Sequence, residues 1–360
     1  MSLQPRPGIL EVAPYIGGES KAAGVNRVIR LASNENPLGP SPQAIAAYEA
    51  EKTQLHRYPD GSAGELRTAI AEAESLTAAN IVCGAGSDEL IGLLVRAYAG
   101  PGDEVLYSEH GFLMYPISAK TAGATPVAAP EANLTADVDG LLARVTERTR
   151  LLFLANPNNP TGSYLSESAL RRLHKGLPAR VLLVIDAAYA EYVTAPDYPQ
   201  AAALVETAGN VVMLRTFSKI HGLAALRLGW AYGPPAVVDV LNRVRGPFNV
   251  SAAAQAAGAA AVRDRDHVAH SIAHNTHWLA WFSAAVAKAD IEALPSVGNF
   301  VLLRFAGGKA QAEAVLAEMK RRGILLRGMA GYGLPDCLRV TIGSEEDMRA
   351  TAGALAEAVQ

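Results

Sequence analysis

Three short stretches hold residues whose types and spacing could do chemistry. The first reads Asn156-Pro157-Asn158-Asn159-Pro160-Thr161-Gly162 and directly follows the apolar run Leu151 to Leu154. Two prolines and a glycine predict a rigid turn that holds the Asn159 amide as a fixed donor. The second, Asp186-Ala187-Ala188-Tyr189, follows the apolar run Val181 to Ile185. An acid that closes a buried strand is costly unless a cation or donor faces it. The third, Thr216-Phe217-Ser218-Lys219, follows Val211 to Leu214 and leads to Gly222, Arg227 and Gly229. A lysine beside a desolvated site loses its proton easily and becomes nucleophilic.

These stretches suit a single chemistry. A Schiff-base lysine needs a carbonyl partner, and pyridoxal phosphate supplies one. Asp186 would keep the pyridinium nitrogen protonated, so that the ring acts as an electron sink. Asn159 and Tyr189 would donate to the phenolic oxygen. The hydroxyls of Thr216 and Ser218 and the guanidinium of Arg227 suit a phosphate. A further anion cradle is expected at Gly84-Ala85-Gly86-Ser87-Asp88-Glu89, where a glycine turn leads from a strand into a helix with free N–H groups. There the Ser87 hydroxyl is expected to cap the helix. Asp88 and Glu89 fall in its first turn, with side chains expected to point away from a phosphate. Each residue alone has an ordinary explanation as a turn amide, a loop acid, a core tyrosine or a solvated lysine. Four such features in order, each at a strand end, argue against coincidence. Glu89 stands where a dinucleotide fingerprint would have its third glycine, and the chain has no Gly-Lys-Ser/Thr phosphate loop.

The elements that must position these residues are strands and helices in alternation. Apolar runs at 81–83, 104–107, 151–154, 181–185 and 211–214 have strand length, and segments such as 89–99 and 166–174 between them read as helices. That alternation predicts an α/β fold whose mostly parallel sheet is covered by helices on both faces. Function then collects at the carboxyl ends of the strands. Residues 1–30 read as an arm and 31–245 as the large domain. After the Gly246-Pro247 break, an Ala-rich helical region and strands near 299–305 and 337–342 read as a smaller α+β domain, 246–360.

Composition excludes several classes. Of 360 residues half are apolar and 19% charged, with a formal net charge of −3. A disordered chain would be poorer in apolar residues, and an electrostatic nucleic-acid binder would carry a basic excess. Cys83 and Cys337 cannot make a disulfide framework, so a reducing, cytoplasmic compartment is expected. No signal peptide is read at the N-terminus, and the run at 251–262 is too short and too rich in Ala and Gly for a membrane span. Cys83 is expected to pack as a small hydrophobe.

The motifs Asn-Pro-Asn-Asn-Pro-Thr-Gly, Asp-Ala-Ala-Tyr, and Ser-Lys with an arginine eight residues on resemble the fold-type I pyridoxal phosphate aminotransferases. Asn34-Glu35-Asn36-Pro37-Leu38-Gly39-Pro40, Arg57-Tyr58-Pro59-Asp60, and Arg327 followed by 332–343 with Arg339 at its centre look like histidinol-phosphate aminotransferases. The similarity runs from about Leu31 to Met348. Where such proteins often read Asp-Glu-Ala-Tyr, this chain has Ala187, and His110-Gly111 stands before Phe112 in place of Pro-Thr.

That resemblance implies the PLP-dependent transferase fold, with Lys219 joined to the cofactor and Asp186, Asn159 and Tyr189 holding the ring. It implies that Ser87, Asp88, Thr216, Ser218 and Arg227 hold the cofactor phosphate and that Phe112 stacks on the ring. Tyr58 would reach the neighbouring site of a homodimer. Arg339, with Arg327, Tyr15 and Asn34, would hold the substrate's anionic groups. The implied reaction moves an amino group reversibly from L-glutamate to imidazole-acetol phosphate, giving 2-oxoglutarate and L-histidinol phosphate. One site must then take a carboxylate and a phosphate in turn, which two guanidinium forks suit. Alternatives are transamination of phenylalanine or tyrosine, a decarboxylase of phosphothreonine type and, outside catalysis, an aminotransferase-like DNA-binding regulator. The last is disfavoured by the negative charge and the short stretch before residue 31. His267, His270, His274 and His277 share one helical face. They read as a solvated face, with no metal expected, because no carboxylate or cysteine completes a shell.

Overall fold

The computed structural model describes residues 3–15, 17–21, 24–25 and 27–360. Its central sheet has seven strands: β1 (Ile81–Gly84), β2 (Glu104–Ser108), β3 (Thr125–Ala129), β4 (Thr149–Ala155), β5 (Leu182–Asp186), β6 (Val211–Thr216) and β7 (Gly229–Tyr232). Their spatial order is β1-β7-β6-β5-β4-β2-β3. Strands β2 to β6 pair in parallel, and β7 runs antiparallel between β6 and β1. Because β7 opposes both neighbours, β1 points the same way as β6. The carboxyl ends of β1, β4, β5 and β6 therefore open on one edge of the sheet.

The expected alternation is what builds this layer. Every residue of β5 is buried, which is why it reads as a continuous apolar run. Leu183 and Ile185 face one helical layer, with Leu66, Ile70, Leu170 and Leu173. Leu182 and Val184 face the other, with Leu90, Leu94 and Tyr115. The helices carrying these side chains are α2 (Gly64–Glu74), α3 (Ser87–Tyr98), α4 (Met114–Ala122) and α5 (Glu167–Gly176), and α1 (Pro42–Ala50) adds Ala44 to the first layer. Strand β7 departs from the parallel pattern because the loop bearing Lys219 brings the chain back beside β6 without an intervening α-helix.

A second layer follows. Strands β8 (Glu292–Ala293), β9 (Phe300–Arg304), β10 (Arg327–Gly328) and β11 (Cys337–Thr341) form an antiparallel sheet in the order β8-β9-β11-β10. Trp278, Phe282, Val301, Met319, Val340 and Leu355 fill its core. The change of core does not fall at residue 246. The helix α6 (Ala252–Arg263) packs on α1 and α2, and Ala254, Ala257, Ala261 and Val262 belong to the core of the seven-stranded sheet. Small side chains permit that close approach: a Cβ at Gly258 would lie 2.4 Å from Leu228. At the other boundary, Ile29 and Leu31 both lie in the C-terminal core, and Ile29–Arg30 pairs in parallel with Ile324–Leu325. Among the described residues, no helix is long and apolar enough to cross a membrane.

Candidate active site

A cavity of about 280 Å³ opens at the carboxyl edge of the central sheet, below the C-terminal layer. Lys219, Asp186, Tyr189 and Asn159 line it, as do Ser87, Asp88, Thr216, Ser218 and Arg227. Phe112, Tyr15, Asn34, Arg327 and Arg339 complete the set of residues that the sequence singles out there. Tyr58 lies elsewhere. It is 83% exposed and stacks on Phe248, with ring centroids 4.7 Å apart.

Each side chain is held by its element. Asp186 ends β5 and is buried. The Tyr115 hydroxyl, from α4, donates to its Oδ2 at 2.8 Å. Its Oδ1 is buried and has no hydrogen-bond partner among the described residues. Burial pushes the carboxyl up to about 6, partly offset by Tyr115. The Nζ of Lys219 donates to the Ser33 carbonyl at 3.0 Å and lies 5.7 Å from the centre of the Tyr189 ring. Burial, reinforced by the charge of Arg339, lowers its amine to about 8. Asn34 Nδ2 donates to the Tyr189 hydroxyl at 2.9 Å, so the hydroxyl proton of Tyr189 is left to donate elsewhere. Arg339, buried in β11, donates to Asn159 Oδ1 and to the Ala32 carbonyl. That contact turns the Asn159 oxygen toward the arginine and leaves Nδ2 as the donor.

The anion cradle differs in detail from expectation. Ser87 does not cap α3: Gly86 occupies the cap position with φ +92°, and no side chain bonds the first turn. The free N–H groups at this helix start are thus those of the backbone. The Asp88 side chain is paired with Arg227, whose Nη2 donates to its Oδ2 at 3.3 Å. Both side chains are about half exposed, so the pair contributes little energy. Glu89 instead ties the turn down, with Oε2 accepting from Ala85 N–H at 2.6 Å and from Asn249 Nδ2 at 2.7 Å. Arg227 sits at φ +50° and is braced by the Ala224 carbonyl at 3.0 Å.

The residues present fit pyridoxal phosphate. The orphaned, buried Oδ1 of Asp186 is an acceptor in want of an N–H. The cradle has no room for side chains: a Cβ at Gly86 would lie 2.6 Å from Arg227 Nη2, and one at Gly229 would lie 2.5 Å from Ser87 N. A lysine, a ring-nitrogen acceptor and a phosphate cradle in one cavity make up that donor set.

Sequence reasoning misses several residues that shape the site. Tyr115, Ser33 and Thr341 act through contacts distant in sequence, with Thr341 Oγ1 accepting from Asn34 N–H at 2.9 Å. Tyr332 lines the cavity beside Arg339. The histidine face divides. His267 and His274 approach the Gly39 and Gly343 carbonyls at 3.1 and 2.9 Å, while His277 packs edge-on against Trp278. Among the described residues no group of three or more potential ligands could hold a metal.

The profile of the family described as "Aminotransferase class I and II" matches residues 26–355. The chain belongs to the class I and II aminotransferases. Among its relatives is the histidinol-phosphate aminotransferase of Rhodospirillum centenum, 59% identical over 353 residues and spanning 98% of both chains. Another is that of Paramagnetospirillum magneticum, 56% identical over 357 residues, 99% of this chain and 98% of the relative. A crystal structure of the Sinorhizobium meliloti histidinol-phosphate aminotransferase with pyridoxal-5'-phosphate superposes with a TM-score of 0.91 at 28% identity, covering 100% of this chain and 98% of that one. The class I and II aminotransferase fold thus accounts for the sheet order and for a cavity at its carboxyl edge.

Proposed function

We propose that the protein is a pyridoxal-phosphate-dependent aminotransferase that exchanges an amino group between L-glutamate and imidazole-acetol phosphate, giving 2-oxoglutarate and L-histidinol phosphate. The observation that carries this reading is the meeting of Lys219, Asp186 and Arg339 in one cavity, supported by relatives of that name spanning almost the whole chain. When bound, pyridoxal phosphate supplies a protonated ring that takes up the electron pair left when an α-proton departs.

The chain's own residues do the rest. Asp186 Oδ1, buried without a partner among the described residues, would accept the ring N–H and, ionised, would keep that proton in place. Asn159 Nδ2 and the Tyr189 hydroxyl would donate to the phenolic oxygen. The N–H groups at the start of α3, with Thr216, Ser218 and Arg227, would bind the phosphate. Phe112 would close one face of the ring. Lys219 Nζ is the base for the α-proton. Its amine, lowered to about 8 by burial, titrates close to working pH and can both take and return that proton. Arg339, with Arg327, Asn34 and Tyr15, binds the carboxylate of one substrate and the phosphate of the other. Tyr58 serves the neighbouring subunit of a homodimer. Its exposure, its stacking on Phe248 and its place outside its own cavity support that reading. Such a biosynthetic enzyme belongs in the cytoplasm, in keeping with two buried free thiols.

The test is kcat/KM for L-histidinol phosphate against phenylalanine and tyrosine, with 2-oxoglutarate as acceptor. A clear preference for the phosphate ester is expected. Equal or better use of the aromatic amino acids would replace the substrate assignment, and release of carbon dioxide would replace the reaction.

A further inference from the structure

The loop between β2 and α4 carries Phe112 to the cavity, and its anchor lies outside the site. Glu131 begins a two-residue hairpin, Glu131–Ala132 paired with Thr135–Ala136, turned by Asn133 and Leu134 at φ +51° and +59°. Its carboxylate, 3% exposed, gathers three donors from the loop. The Ser108 hydroxyl and the His110 N–H (3.1 Å) donate to Oε1, and His110 Nδ1 donates to Oε2 at 2.8 Å. Burial alone would raise this carboxyl, but the bonds from His110 and Ser108 outweigh it and hold the group below its usual range.

The same loop is bound from a second side. Asn158 Nδ2 donates to the His110 carbonyl at 3.2 Å, which ties it to the turn that carries Asn159. The Ser163 hydroxyl donates to the Leu134 carbonyl at 2.7 Å, so the hairpin is braced against the far end of that turn. Leucine disfavours left-handed backbone, and this brace helps to hold it there. Gly111 makes the bend tight: a Cβ there would lie 2.9 Å from the Ser108 carbonyl. The loop is thus held at Ser108 and His110 by Glu131 and at the His110 carbonyl by Asn158.

We propose that Glu131 is a positioning residue: through Ser108 and His110 it fixes the loop that holds Phe112 against the cofactor ring. This rests on the cofactor reading above. Glu131 touches neither the cavity nor the reacting atoms. The test uses the full-length protein, stripped of and then titrated with pyridoxal phosphate, reading the dissociation constant and the visible circular dichroism of the bound cofactor. Melting of the cofactor-free protein is followed in parallel. Glu131→Ala is expected to weaken cofactor binding about tenfold, the scale of one lost charge-assisted contact, and to reduce the dichroic band. Glu131→Gln keeps the oxygen that accepts from Ser108 and the His110 N–H. It sets an NH2 opposite His110 Nδ1, which accepts it once the neutral imidazole takes its other tautomer. This variant is expected to recover most of both the affinity and the band. If Glu131→Ala fails to fold, Ser108→Ala replaces it, with a loss of about threefold expected. Wild-type affinity and dichroism in Glu131→Ala, or in Ser108→Ala where that is the variant tested, would overturn the proposal. So would a Glu131→Gln variant as impaired as the alanine. Failure of the unmodified protein to bind pyridoxal phosphate would overturn the cofactor reading, and this inference with it.

Discussion

Arg327 and Arg339 are register partners across the β10–β11 ladder, and both line the cavity. Like charges directly opposite one another are destabilising in a sheet unless an anion lies between them. Burial lowers the Arg339 guanidinium below its ordinary range, and its Nε is buried without a partner among the described residues. The pair therefore suits an anionic ligand, which is the role the proposed function gives it.

Replacing Arg339→Lys keeps one charge but loses the planar fork. kcat/KM is expected to fall about 100-fold for both L-glutamate and L-histidinol phosphate, as for loss of a buried charge-assisted contact. Steady-state kinetics on both substrates checks this. A loss confined to one of them would show that Arg339 does not serve both anions.

Tyr115 bears on the acid. Its hydroxyl lowers the Asp186 carboxyl against the upward push of burial. Tyr115→Phe removes that donor, so the carboxyl rises further and its ionised form is lost at higher pH. The acid limb of the pH–rate profile is expected to move to higher pH, with kcat down about tenfold. An unmoved limb would separate Asp186 from the profile.

The site costs the cofactor-free protein stability. Asp186 titrates at about 6 when folded against 3.8 ordinarily, so the folded state gives up stability as pH rises from about 4 through about 6. Lys219, lowered from 10.5 to about 8, costs stability as pH falls through that same interval. Both penalties are in force at pH 7. Asp186→Asn is expected to stabilise the cofactor-free protein by about 2–3 kcal/mol at pH 7.5 while abolishing transamination. The gain should vanish at pH 4. Urea unfolding at the two pH values reads it, and a gain independent of pH would contradict the assignment.

Much of this was legible because the chemistry sits where local pattern is strongest. Asn159, Asp186 and Lys219 each follow an apolar run of strand length bounded by turn residues, and parallel strands deliver their ends to one edge. Tyr115 gave no such signal: it lies on a helix 71 residues from its partner, and only folding brings the two together. The cap of α3 is not legible in the same way: serine at a helix start usually caps it, whereas here Ser87 is the first helical residue and Gly86 takes the cap. The core that α6 joins is hard to read because its Ala and Gly residues show no strong apolar face, although that smallness is what lets it pack on α1 and α2.

Tyr58 provides a test of assembly. Mixing Tyr58→Ala and Lys219→Ala variants under conditions that exchange subunits would leave some dimers with one intact site. Activity is expected to rise above that of either variant alone. A mixture no more active than the Tyr58→Ala share predicts would place the tyrosine outside the neighbouring site.

The central claim is a covalent join at Lys219. Borohydride reduction of the cofactor-loaded protein, followed by digestion and mass spectrometry, should place a single pyridoxyl group on the peptide containing Lys219. A group found on a different lysine, or none in loaded protein, would contradict the account.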